Sequence, residues 1–340
     1  MKAAVMRGVR EPLALEDVPI SSLGPDDVLI ETRTSGICGT DLHILDGYGY
    51  VPPLPHILGH EPAGVVADVG RNVSGFRPGD RVVPHLFMTC NRCYYCRVGR
   101  QQQCLNLKGI IGVLCPGAFA EYFKAPAENL FHLPPGVPFA AGGLVADAVV
   151  TSVHAVKRAG VQVGDSAVVV GAGGIGQVLV QILKAAGMKV VATARSPEKL
   201  RLAREMGADL ALSPADPQTA EAVRDFSGTG GVRIVFDCVG TAQSMRDSAD
   251  YLMRGGRLVV IGEEPEFPKI DTTEIAQREL EIIGSRNGTR QDMVEAIRLL
   301  ETGVVKPFIA ARFPLERANE ALETMRKGSL GRIVVEVKKD

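Results

Sequence analysis

The sequence predicts an α/β chain of two domains: a β-rich domain over residues 1–147 and a doubly wound parallel-sheet domain over 148–289, with a closing segment at 290–340. Three observations predict it. Val28, Ile30 and Thr32 alternate with Leu29, Glu31 and Arg33, the period of two of a half-buried strand. From about residue 148, apolar strands alternate with amphipathic helices, the mark of a parallel sheet with helical crossovers. A glycine-rich turn joins the first of these strands to the first helix.

Composition narrows the functional classes. The chain has 340 residues, 46% hydrophobic and 23% charged, which is globular and excludes a disordered or fibrous protein. The formal net charge is −1, so no field draws nucleic acid or an anionic membrane, and an anionic ligand needs a local cradle. No apolar run approaches the roughly 20 residues that span a bilayer. Arg7, Arg10 and Glu11 come too soon for a signal-peptide core, so a cytoplasmic chain is expected. The cysteines stand at 38, 90, 93, 96, 104, 115 and 238; an odd count in such a chain argues against a disulfide framework. Cys115 and Cys238 read as small buried residues.

In the first domain, further short strands are expected at 64–69, 79–84 and 119–125, punctuated by Pro52-Pro53, Pro78-Gly79, Pro116-Gly117 and Pro134-Pro135-Gly136. In the second, strands are expected at 167–170, 189–193, 232–238, 257–262 and 280–284, with helices at 174–186 and 243–253. Ser196 is a good N-cap, Pro197 sits at the first helical position and Gly207 stops that helix. The closing segment carries helices at 290–302 and 315–327 and a strand at 331–337. Its first half is expected to complete the parallel-sheet domain and its strand to return to the first domain, bringing the two together around a cleft.

Gly171-Ala172-Gly173-Gly174-Ile175-Gly176 fits G-x-G-x-x-G in the required strand–turn–helix context. The first glycine permits the tight turn, the second lets backbone approach a pyrophosphate, and the third lets the helix pack on the strand. For NAD, an Asp or Glu should end the second strand to bind the ribose 2′-hydroxyl. Ala194 stands there instead, followed by Arg195 and Ser196. Absence of the carboxylate removes repulsion of a 2′-phosphate and Arg195 offers it a bidentate partner, favouring NADP(H) over NAD(H). Lys199, one turn on, is either a second phosphate partner or a solvated lysine.

Cys90-x-x-Cys93-x-x-Cys96-x7-Cys104 places four thiols in one short polar loop, about 85–108. Structural zinc takes four soft ligands in a closed tetrahedron, and such spacing lets one loop supply them. Nothing else suggests the electron transfer of an iron–sulfur cluster. Cys38 and His60, taken alone, are ordinary residues.

With these motifs in view, the chain resembles a zinc-dependent medium-chain dehydrogenase/reductase, the zinc-containing alcohol dehydrogenase family. Gly59-His60-Glu61-x-x-Gly64-x5-Gly70-x-x-Val73 fits that family's zinc signature, and Cys38-Gly39-Thr40-Asp41-x-His43, the four-cysteine lobe and the glycine turn follow in the family's order. The similarity runs over essentially the whole chain. It implies a GroES-like catalytic domain, a Rossmann cofactor domain, two zinc ions per chain, and hydride transfer between an alcohol or its carbonyl and a nicotinamide cofactor.

The resemblance also implies roles. Cys38, His60 and Asp147 would hold a catalytic zinc, with Glu61 as an exchanging fourth ligand. Asp147 stands where many members carry Cys, four residues before Thr151, which resembles the family's cofactor-contacting Thr. Thr40 resembles the hydroxyl relay and His43 the histidine that passes the proton outward or binds ribose. Asp41 would orient His60 or stabilise its turn. Ile261-Gly262 and Ser285-Arg286-Asn287 would meet the nicotinamide end, Cys238-Val239 would lie near the adenosine ribose, and Arg332 would reach the pyrophosphate or Glu61. His56, His85, His132 and His154 earn no role from sequence. The apolar Leu86, Phe87, Tyr48 and Tyr50 point to an alcohol or carbonyl substrate rather than a polyol, sugar or amino alcohol. A zinc-free quinone or enoyl reductase would lack the Cys38, His60 and Asp147 set, and a non-catalytic NADPH-binding protein would have no use for the relay. A homodimer or homotetramer is expected, and strand 257–262 is compatible with edge-to-edge sheet pairing.

Overall fold

A computed structural model of the chain describes residues 1–338, so the last two residues of segment 290–340 lie outside the described residues. It divides into two compact units, Met1–Val150 with Gly288–Asp340, and Thr151–Asn287. Among the described residues no single helix is long and apolar enough to cross a membrane. One bent pair, Phe139–Ala146 with Ala148–Ala159, passes by length and composition, but both members are largely buried.

The first unit is built on the strand Asp27–Ile37, eleven residues long, whose alternating half-buried and buried positions follow the pattern read from Val28 to Arg33. It pairs antiparallel with Glu61–Val69 on one side and with Arg332–Glu336 on the other. The register sets Gly36 opposite Glu61 and Ile37 opposite Ile333, so Cys38, Glu61 and Arg332 converge where these strands meet. Gly36 is required there: a side chain on it would collide with Glu61 Oε2 and Leu144.

The closing segment corrects one expectation. Its first half does not complete the parallel sheet but belongs to the first unit. The helix Arg290–Glu301 opens with a capping box in which Thr289 Oγ1 accepts from the Asp292 N–H at 3.1 Å and Asp292 Oδ2 accepts from the Thr289 N–H at 2.8 Å. It packs on the helix Phe139–Gly143 and the turn Leu144–Ala146. The strand Ile309–Pro314 then lies parallel to Arg332–Glu336, extending the first unit's sheet.

The second unit is a six-stranded, all-parallel sheet in the order Leu210–Leu212, Lys189–Thr193, Ser166–Val170, Val232–Asp237, Leu252–Val260, Glu281–Gly284. Its central strands, Lys189–Thr193, Ser166–Val170 and Val232–Asp237, are buried on both faces, which is why they read as near-continuous apolar runs, whereas the edge strand Glu281–Gly284 is largely exposed. Ala167, Val169, Val190, Ala192, Ile234 and Phe236 pack on one face against Leu179, Val180 and Leu183 of the helix Gly174–Ala185. Val168, Val170, Val191, Val235 and Leu258 pack on the other with Val223 and Tyr251. The expected edge is also corrected: strand 257–262 overlaps Leu252–Val260, which is hydrogen-bonded on both sides, and among the described residues the sheet's edges are Glu281–Gly284 and Leu210–Leu212.

Candidate metal and cofactor sites

Two clusters of metal-ligating side chains form in the first unit: Cys90, Cys93, Cys96 and Cys104, and Cys38, His60, Glu61 and Asp147. Within each, one donor atom per residue lies within 4.8 Å of all the others.

The thiol cluster is built by two short turns, Tyr94–Arg97 and Gln101–Gln103. Cys93 Sγ lies 3.5 Å from Cys96 Sγ and 3.9 Å from Cys104 Sγ, which lies 3.5 Å from Cys90 Sγ. A tetrahedron of zinc–sulfur bonds of about 2.3 Å has edges of about 3.8 Å, so the sulfurs already stand at zinc spacing. Backbone N–H groups of Arg92 and Cys93 pull the Cys90 thiol down to about 6, toward the thiolate a metal needs. By contrast, burial pushes Cys115 up to about 12 and Cys238 higher still, so both are inert thiols, partly rather than wholly buried.

The second cluster is assembled from distant segments. Cys38 caps the helix Gly39–Asp46 in extended conformation, with its N–H donating to Asp41 Oδ2 at 3.0 Å. The other Asp41 oxygen stands 3.2 Å from His60 Nδ1, and both residues are buried. Asp41 thus contacts both the turn at Cys38 and the imidazole, an arrangement that leaves Nε2 for a ligand. Asp147, between the turn Leu144–Ala146 and the helix Ala148–Ala159, brings Oδ2 to 3.3 Å from Cys38 Sγ. Thr40 Oγ1 is 3.9 Å from the same sulfur. Three residues on, on the same helix, His43 is half-buried and stacks on Tyr48 with ring centroids 4.4 Å apart.

Buried charge is concentrated here. Glu61 is fully buried; burial raises its carboxyl to about 8 against the pull of Arg332. Burial works against the charge of His60, but Asp41 and Cys38 outweigh it and hold the imidazole well above its ordinary value. Burial likewise works against Asp147, yet His60 and Arg332 keep it ionised. Arg332 is 4% exposed and faces the carboxylates, with Nη2 2.9 Å from Glu61 and 3.6 Å from Asp147. One cysteine sulfur, one imidazole oriented from behind and adjacent carboxylates form a donor set suited to zinc, and a buried cation would offset the carboxylates' negative charge.

In the second unit, parallel pairing carries the expected cofactor residues to one rim of the sheet. Gly171–Gly176, Arg195 and Ser196, Cys238 and Val239, Ile261 and Gly262, and Ser285 to Asn287 all follow the carboxyl ends of strands. Gly171 has φ +90°, which favours glycine, and a side chain on Gly176 would collide with the Gly171 carbonyl. Gly173 is different: its φ is −87° and a Cβ there would meet no atom within 4 Å. Neither backbone nor packing demands glycine at 173, whereas a pyrophosphate against the helix N-terminus would. The donor geometry thus fits a dinucleotide.

Arg195 is exposed and Lys199 half-buried, its charge disfavoured by burial and by Arg195. Neither pairs with a carboxylate among the described residues. Ser196 Oγ accepts from the Lys199 N–H at 3.2 Å, the N-cap role. Lys199 is not the freely solvated lysine of the alternative reading. Thr151 lies buried in the helix Ala148–Ala159.

Sequence reasoning missed Asp237, at the end of the strand Val232–Asp237. Its buried carboxylate accepts from the Val239 and Gly240 N–H groups at 2.8 and 3.1 Å, while its carbonyl accepts from Ile261 and Gly262. One residue thereby shapes two of the expected cofactor loops; an acid ending an apolar strand before Cys-Val-Gly was the available signal.

Comparison with known proteins agrees with this arrangement. Residues 24–135 match the alcohol dehydrogenase GroES-like domain and residues 174–302 the zinc-binding dehydrogenase domain. An alcohol dehydrogenase of Geobacillus stearothermophilus is 34% identical over 340 residues, covering 99% of this chain and 100% of the relative. An L-threonine 3-dehydrogenase of Rhizobium rhizogenes is 31% identical over 99% of this chain and 98% of its own length. The crystal structure of an NAD-dependent alcohol dehydrogenase superposes with a TM-score of 0.94 at 30% identity, covering 99% of this chain and 100% of that one. Fold, donor clusters and full-length similarity coincide, and the chain belongs to the zinc-containing alcohol dehydrogenase family of medium-chain dehydrogenases, with a GroES-like domain, a Rossmann domain and the chemistry of an oxidoreductase.

Proposed function

We propose that the chain is a zinc-dependent alcohol dehydrogenase, and in reverse a carbonyl reductase, that transfers hydride between a nicotinamide cofactor, NADP(H) in preference to NAD(H), and a primary or secondary alcohol or its aldehyde or ketone. The observation that carries this reading is the convergence of Cys38, His60 and Asp147, with the Thr40 hydroxyl 3.9 Å from the Cys38 sulfur. These three residues would hold the catalytic zinc, with Glu61 as an exchanging ligand; Cys90, Cys93, Cys96 and Cys104 would hold a structural one. When bound, the zinc supplies Lewis acidity at the substrate oxygen and the nicotinamide supplies hydride exchange.

The chain's own residues supply the rest. Thr40 both donates and accepts through one hydroxyl, so it can take the substrate proton. His43, a helical turn along, passes that proton to solvent. Asp41 holds the His60 ring against rotation. The NADP(H) preference rests on Arg195 and Lys199, two cations beyond the strand Lys189–Thr193 that pair with no carboxylate among the described residues, with Ala194 in place of a 2′-hydroxyl-binding acid. A cytoplasmic homodimer or homotetramer fits this reading. Oxidation of 2-butanol, followed separately with NADP and NAD, tests it: turnover favouring NADP is expected, and zinc-loaded protein that oxidises no alcohol with either cofactor would overturn it.

A second reading has its own support. Relatives named L-threonine 3-dehydrogenase span nearly the whole chain, so an amino-alcohol substrate, among the polyol, sugar and amino-alcohol class, is the alternative. L-threonine in the same assay decides between them.

A further inference from the structure

We propose that His85 is a positioning residue for the nicotinamide end of the cofactor, acting through Gly288. The proposal rests on the reading that Ser285 to Asn287 meet the nicotinamide. His85 is fully buried, and its Nε2 stands 2.9 Å from the Gly288 carbonyl. A carbonyl only accepts, so that bond fixes the tautomer with the proton on Nε2. Burial lowers the imidazole to about 4, so it stays neutral at pH 7.

The location gives the bond its consequence. The chain leaves the first unit at Val150 and re-enters it at Gly288. These points touch: a Cβ on Gly288 would stand 2.5 Å from a Val150 methyl. Asn287, immediately before, has φ +42°, a left-handed conformation for a residue with a side chain, and is 8% exposed. A loop entering through such a residue keeps its course only if the next residue is held.

His85 is itself held. Its N–H donates to the Asn129 carbonyl at 2.7 Å, and Asn129 Nδ2 donates back to the His85 and Phe87 carbonyls at 2.6 and 2.9 Å. Arg290 adds a second tether, with its N–H 3.4 Å from Gln101 Oε1, Nη1 3.2 Å from Asn91 Oδ1 and Nη2 3.8 Å from Glu128. Gln101 and Asn91 lie within the thiol lobe, so the re-entry point is pinned to His85, just after the strand Arg81–Pro84, and to that lobe. A leucine would fill the His85 site without a donor; what the imidazole adds is the grip on Gly288.

Binding of whole cofactor and of its adenosine half tests this on the zinc-loaded full chain. His85→Leu is expected to raise the Kd of NADPH about tenfold, equivalent to about 1.4 kcal/mol. The Kd of 2′,5′-ADP, which lacks the nicotinamide, should stay within about twofold, and His85→Gln, which keeps a donor, should restore most of the NADPH affinity. If His85→Leu does not fold, Arg290→Leu at the lobe surface should give the same selective effect, reduced to about two- to threefold. Equal weakening of both ligands would mean general damage and overturn the proposal, as would unchanged NADPH binding while wild type binds it. Wild-type protein that binds neither NADPH nor NADH would overturn the cofactor reading and the positioning role together.

Discussion

The two donor clusters are built on opposite plans. The four thiols come from 15 consecutive residues and lie near the surface, and local backbone N–H groups lower two of them, Cys90 and Cys93. Cys38, His60, Glu61 and Asp147 come from three segments up to 109 residues apart, lie buried except for half-buried Asp147, and are contacted by Asp41 and Arg332. The comparison teaches that donors from one short loop can be arranged by that loop alone, whereas donors from distant segments are held in place by the fold around them.

The largest effect should come from breaking the local cage. Cys93→Ser is expected to release the structural metal and open the lobe, because four-ligand zinc contributes about 10 kcal/mol in small zinc domains. Limited proteolysis should then cut within 85–108 in the variant only; an uncut lobe would show that the thiols do not brace it. In the distributed site the support can be cut without touching a proposed ligand. Asp41→Asn should lower catalytic zinc affinity about 10- to 100-fold by chelator competition, with the lobe metal retained. Unchanged affinity would reduce Asp41 to a turn residue. In the second unit, Arg195→Ala should weaken NADPH about 10- to 100-fold and leave NADH nearly unchanged, as a lost charge-assisted bond to phosphate would. Equal losses would remove the 2′-phosphate role.

The smallest effect concerns acid stability. His85 is lowered to about 4 when folded, against 6.5 as its ordinary value. Between those values the unfolded chain binds the extra proton, so stability is complete above about pH 6.5 and is lost as pH falls toward 4. His85→Gln should flatten the fall in Tm over that window; an unaltered profile would mean that other groups set it.

What was legible in the sequence follows the same division. The thiol lobe, the glycine turn and the cap at Ser196 depend on residues within a few positions of one another, and spacing alone exposed them. The strand Lys189–Thr193 was read to the residue because both of its faces are apolar. The short strand Leu210–Leu212 and the helices Thr219–Ser227 and Thr272–Arg278 were not singled out, since each is short and set by its neighbours. Arg332 illustrates the limit: its partner Glu61 is 271 residues away, and only the strand Asp27–Ile37, pairing on both sides, brings them together. His85 earned no role from sequence, and Asn129 escaped notice, for the same reason: their hydrogen bonds run to backbone atoms that leave no trace in the sequence.

The central claim is that the distributed cluster is a second, independent metal site closed by Asp147. Zinc content per chain, measured for wild type and Asp147→Ala after the same gel filtration, tests it most directly. The account predicts two zinc ions in wild type and one in the variant, with alcohol oxidation lost and the lobe still protected from proteolysis. Two zinc ions and full turnover in Asp147→Ala would contradict it.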